Sequence, residues 1–132
     1  MNDISDAVDL LATAREALTD EILPLLPKER RYVGLMINNV IGIATRELQS
    51  GATATADEAE RIAQLLQGQP NAANGPIEGR EADLEGLRRT LCSAIRSGRF
   101  DAGNARDALA AHLARTTRDW VAISNPKALR SA

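Results

Sequence analysis

Residues 30–49, RRYVGLMINNVIGIATRELQ, are the stretch on which the fold turns. Wound at about 100° per residue, they gather Tyr32, Ile43, Met36, Val40, Val33, Ala44, Ile37, Leu48 and Ile41 on one half of the cylinder. That arc is wider than the stripe with which a surface helix seats itself on a core. The opposite half carries Gly34, Thr45, Asn38, Gln49, Gly42, Leu35, Arg46 and Asn39, with only one charge among them. A helix so poor in charge on both sides is expected to be enclosed by the rest of the chain.

Two features of this helix bear on chemistry. Glu47 falls inside the apolar arc, between Met36 and Val40 by angle, where an unpaired carboxylate is costly to desolvate. Either it meets an arginine or hydroxyl from a neighbouring helix, or the last turn emerges into water; a ligand-facing carboxylate is the remaining alternative. The row Gly34, Asn38, Gly42, Thr45 lets another backbone approach closely, with Asn38 able to hydrogen-bond across the contact. A core contact within the chain is favoured there over a homodimer seam.

The 132 residues suffice for one domain with its own core, without disulfide or metal staples. Cys92 and His112 are the only residues of their kinds, so Cys/His metal clusters are excluded within one chain and a reducing compartment is implied. No basic, apolar leader follows Met1, and no apolar run approaches the roughly 18 residues of a membrane span, so a cytoplasmic, soluble protein is expected. A net charge of −2 supplies no field for phosphate backbones, and three scattered rings, Tyr32, Phe100 and Trp120, make no stacking platform. Neither nucleic acid nor membrane is an expected partner.

The rest of the chain reads as further helices. Ile4, Val8, Leu11, Ala14, Leu18 and Ile22 recur at helical steps, and Pro24 and Pro27 close that first helix. The short link folds it back antiparallel onto the second. Ser50-Gly51 reads as a stop, and Thr55 with Glu58 as a capping box opening a third helix over 56–67. GQPNAANGPIEG at 68–79 is the longest loop, expected to be flexible. A fourth helix covers 80–97 on Leu84, Leu87, Leu91 and Ala94, and Gly98 caps it. A fifth covers 102–123 on Ala105, Leu109, Leu113, Thr116, Trp120 and Ile123, followed by an irregular tail from 124. The expected architecture is all-α: one antiparallel bundle of about five helices, 1–132, with the second helix central.

No motif with a mechanism occurs: no phosphate-binding glycine loop, no metalloprotease helix, no nucleophile elbow. The residue three before His112 is Leu109, which cannot ligate a metal, so a di-iron bundle is excluded. His112 borders its stripe as a packed or solvated residue, and Cys92 beside Leu91 reads as a half-buried, inert thiol. Arg30-Arg31 and Arg88-Arg89 would clamp an anion only through one side chain each, since neighbours on a helix diverge by about 100°. Solvated faces and internal ion pairs are the favoured reading.

ERRYVGLMINNVIGIATREL at 29–48, the LPLLP turn before it and the closing ISNPKAL at 123–129 resemble an uncharacterised bacterial family of small helical proteins. That resemblance implies a genomic setting beside aminoglycoside-phosphotransferase-like kinases and acyl-CoA dehydrogenases. It carries no activity and no catalytic residue.

The function expected is that of a non-enzymatic accessory or protein-interaction module, self-associating or bound to such a kinase-like or dehydrogenase partner, with no cofactor. The alternative is a binder of an anionic metabolite such as an acyl-CoA or nucleotide. Arg30, Arg31, Asn38, Asn39, Arg46 and Glu47 are the candidate contacts in either case. An enclosed second helix also predicts that Val40→Ala or Ile37→Ala costs about 1–4 kcal/mol.

Overall fold

A computed structural model describes residues 4–67 and 83–130. Five α-helices occur among them and no strand: α1 (Ile4–Ala17), α2 (Lys28–Leu65), α3 (Leu84–Arg96), α4 (Gly103–Ser124) and α5 (Pro126–Arg130). The all-α class is as the sequence implies, but the five helices are not the five expected. The 68–79 loop lies outside the described residues.

The second and third expected helices are one. The stop at Gly51 does not operate, because a single glycine costs a helix only about 1 kcal/mol relative to alanine. Gly51 is buried within α2, and the hydroxyls that would cap or break it turn inward: Thr45 Oγ1 donates to Ile41 O at 2.8 Å and Ser50 Oγ to Arg46 O at 2.8 Å. Glu58, the other half of the expected capping box, is held instead by Arg88. The tail is also helical beyond Asn125, where Pro126 occupies a first-turn position and Ala128 N donates to Asn125 O.

The packing separates into two compact units, Met1–Ala52 with Ile123–Ala132, and Thr53–Ala122. In the first, α1 gives way to a π turn over Leu18–Ile22, with Leu23 N donating to Leu18 O, and then to a 3₁₀ turn over Leu23–Leu25. Pro24 explains the change, since it has no N–H to continue the α ladder. The chain then reverses: Arg15 reaches Asn38 and the backbone at Gly42, while Leu23 and Leu26 lie over Gly34. Successive positions on α1 thus meet receding positions on α2, the antiparallel hairpin that the short link requires.

The sidedness of α2 in this hairpin is the reverse of the expectation. Its small row, not its bulky arc, receives α1: a Cβ at Gly34 would stand 2.7 Å from Leu26 Cδ1, and one at Gly42 3.2 Å from the Arg15 guanidinium carbon. Gly34 and Gly42 are buried, whereas Tyr32 is 72% exposed, Val40 60%, Ile37 49% and Val33 45%. The second helix is therefore not enclosed. Small side chains let two helix axes approach closely, and the β-branched arc would have held α1 away.

The second unit has a core of its own. Ala59, Ile62 and Leu66 from the end of α2 meet Leu84, Leu87, Leu91 and Ala94 of α3 and Phe100 of the following turn, with Ala105 and Leu109 of α4 packed against them. Gly98, at φ +88°, ends α3: its N–H donates to Ile95 O and that of Arg99 to Ala94 O. On α4 the expected stripe holds at Ala105, Leu109, Thr116 and Ile123 and fails at two positions. His112 and Thr116 turn inward, while Leu113 and Trp120 are exposed.

Candidate interaction face

The α1–α2 hairpin positions all six candidate contacts, and it divides them. Asn38 and Arg46 serve the chain itself. Asn38 Oδ1 accepts from Arg15 Nε at 3.2 Å and from Thr19 Oγ1 at 3.4 Å; Arg46 Nε donates to Ile123 O at 2.7 Å, satisfying a carbonyl in the last turn of α4. Arg30, Arg31, Asn39 and Glu47 are exposed. Among the described residues neither Arg30 nor Glu47 has an ion-pair partner. Glu47 is exposed in mid-helix, because α2 does not end there but runs on to Leu65; neither the ion-pair partner nor the last turn expected for it occurs among the described residues.

Between those two charges lies an apolar surface. Val33, Met36, Ile37 and Val40 stand outward along about 10 Å of helix, and Tyr32 extends the patch at one edge. On the turn before α2, Ile22 and Leu25 are exposed as well, and α1 contains no buried residue. Among residues 4–52 the only buried positions are Gly34, Gly42 and Gly51. Sequence periodicity identified these apolar residues as one face but assigned them to the interior; what covers a face is not written in its period.

The second unit holds the polar groups that remained as chemical candidates. Arg61 donates through Nε to His112 Nδ1 at 3.3 Å and through Nη2 to Thr116 Oγ1 at 3.1 Å, with Asp119 at 3.9 Å and itself bound by Arg115. Burial, reinforced by the Arg61 charge, lowers the His112 pKa below its usual 6.5, with Glu58 opposing. A neutral imidazole fixed as an acceptor at Nδ1 carries its proton on Nε2. Its position is that of a packing residue with a polar tether. Of this row, Thr116 stands in the stripe that the sequence predicts and His112 on its border; the signal for the rest is the step of three from Thr116 to Asp119, which continues the same helical face.

Cys92 is exposed rather than half-buried, because Leu91 and Ala94 take the inward positions of α3. It does not join His112, whose Nδ1 is engaged by Arg61. Arg88 and Arg89 diverge as adjacent helical residues do: Arg88 turns in to Glu58 and Arg89 out to Glu85 at 3.6 Å. Among the described residues no group of three His, Cys, Asp or Glu side chains is placed to hold a metal ion, and no helix is long and apolar enough to cross a membrane.

No curated protein and no solved structure matches the chain. A family model does match, over residues 24–128, which takes in the hairpin from the LPLLP turn onward, both inward-facing polar networks and α5 up to Ala128. The chain belongs to the family described as Domain of unknown function (DUF6285).

Proposed function

We propose that the protein is a non-enzymatic interaction module whose working surface is the outward apolar face of the α1–α2 hairpin. One observation carries this reading: in residues 4–52 no large apolar side chain is buried, although the stretch is rich in them. Among the exposed large apolar side chains of that stretch, Tyr32, Val33, Met36, Ile37 and Val40 adjoin one another on one side of α2, a contiguous apolar surface rather than scattered single residues. A surface of that kind marks a protein contact. The exposed charges at its ends orient what binds there, and Asn38 ties the hairpin together on the side away from it. The resemblance to a bacterial family encoded beside kinase-like phosphotransferases and acyl-CoA dehydrogenases supports an accessory role in that metabolism.

A photo-crosslinking amino acid at Val40, with the same group at exposed Arg118 as control, tests the reading in intact cells. Protein adducts concentrated at Val40 are expected. Equal yields at the two positions, or none at Val40, would refute it.

A further inference from the structure

We infer that the occupant of the hairpin face is a second copy of the chain, related by a two-fold axis, with the two α2 helices antiparallel and Arg30 of each beside Glu47 of the other. This rests on the docking reading above and names its partner. Six residues of α2, Arg30, Val33, Ile37, Val40, Ala44 and Glu47, follow one another at steps of three, four, three, four and three. That is the alternation of a coiled-coil seam, about three turns of apolar contact closed by a cation at one end and an anion at the other.

The pattern is self-complementary in one orientation only. The steps read the same from either end, so in an antiparallel pair Ile37 of one copy faces Val40 of the other, Val33 faces Ala44, and Arg30 faces Glu47 at both ends of the seam. A parallel pair would set Arg30 against Arg30 and Glu47 against Glu47, and like charges in such a seam oppose association. Both charges are exposed and without an ion-pair partner among the described residues, and the apolar residues between them stand outward. Arg30 also sits in the first turn of α2, where the helix dipole disfavours a cation; a carboxylate from the other copy offsets that placement.

The exposure agrees with the same occupant: Val33, Met36, Ile37 and Val40 are 45%, 49%, 49% and 60% exposed on that one side of α2. The pairing supplies the apolar cover that this arc of α2 lacks within one chain, with α1 of each copy on the far side of its own α2, over Asn38 and Gly42. An isologous pair uses one patch twice, and a palindromic seam is what such a pair requires.

Sedimentation of the purified full-length chain at about 50 µM should give twice the chain mass, a concentration at which micromolar association is complete. E47R and R30E each place like charges at both ends of the antiparallel seam, and each should weaken the dimer by at least about 100-fold. Mixed in equal amounts they should recover the dimer mass, since each variant then supplies the charge that the other needs. Both positions are exposed, and circular dichroism should show unchanged helicity. A monomeric wild type, or single variants that remain dimers, would overturn the inference. A monomeric wild type that still crosslinks at Val40 to a different protein overturns only the choice of partner; the same monomer with no crosslink removes the docking reading as well.

Discussion

Arg88 of α3 and Glu58 of α2 are joined twice, Nε to Oε1 at 2.8 Å and Nη2 to Oε2 at 2.7 Å, with the Glu58 carboxylate almost fully buried. This fork–fork geometry orients α3 against the end of α2 and satisfies a charge that the core would otherwise exclude. Arg88→Ala, which strands Glu58, should cost about 2–3 kcal/mol in a urea melt. Arg89→Ala, which removes only a solvated pair with Glu85, should stay within about 0.5 kcal/mol. Equal losses at the two positions would show that the buried pair contributes nothing specific.

His112 makes stability depend on pH in a definite direction. Its folded pKa lies below the ordinary value, so in the acid range the unfolded chain binds more protons than the folded one. Stability is therefore full above about pH 6.5, declines as the pH falls below it, and stops declining through this group once the folded pKa is passed. His112→Gln keeps an acceptor for Arg61 but cannot titrate. Its melting temperature should fall less than that of the wild type between about pH 7 and pH 5, and parallel curves would remove His112 from the account.

The two units should respond differently to loss of an apolar side chain. Ile62 is 0% exposed in the core of the second unit, and Ile62→Ala should cost about 2–4 kcal/mol at any protein concentration. Val40→Ala, for which enclosure had implied a similar loss, should cost less than about 1 kcal/mol in dilute protein, with a larger effect as concentration rises. Chemical denaturation at two protein concentrations a hundredfold apart separates these behaviours. A concentration-independent loss of several kcal/mol at Val40 would restore the enclosed helix.

Anionic metabolites should not stabilise the chain. The cluster that would have gripped one is dispersed, with Arg46 bound to Ile123 O and Asn38 to Arg15. CoA esters and nucleotides at about 1 mM should leave the melting temperature unchanged, as binding in that range or tighter would raise it. A concentration-dependent rise, abolished by Arg30→Ala, would return the metabolite reading.

Much of the architecture was legible where a residue has only local work to do. The prolines of the LPLLP turn, the Gly98 cap and the stripe Leu84, Leu87, Leu91, Ala94 stand where their chemistry places them. Signals with a competing long-range use were misleading. Thr55 and Glu58 look like a capping box, yet Glu58 is drawn to Arg88, thirty residues away in sequence, and α2 passes straight through. On α4 the stripe was misjudged at Leu113 and Trp120, which are exposed, and at His112, which is drawn inward to Arg61, a partner that periodicity does not encode. The six candidate residues share α2, but which of them are internal ties and which are exposed depended on the side of it that the preceding chain takes.

The close seating of Leu23 and Leu26 on Gly34, and of Arg15 on Gly42, inverts the usual map of mutational tolerance along the first part of α2. Val33, Ile37 and Val40, of the kind ordinarily guarded in a helix, have free room around them within one chain. The glycines have none: a single methyl group at Gly34 lands on Leu23 and Leu26, so bulk is penalised where the helix is smallest. Natural variation in this hairpin is therefore expected to be narrowest at its smallest residues, and narrow at its largest ones only to the degree that something outside the chain is reading them.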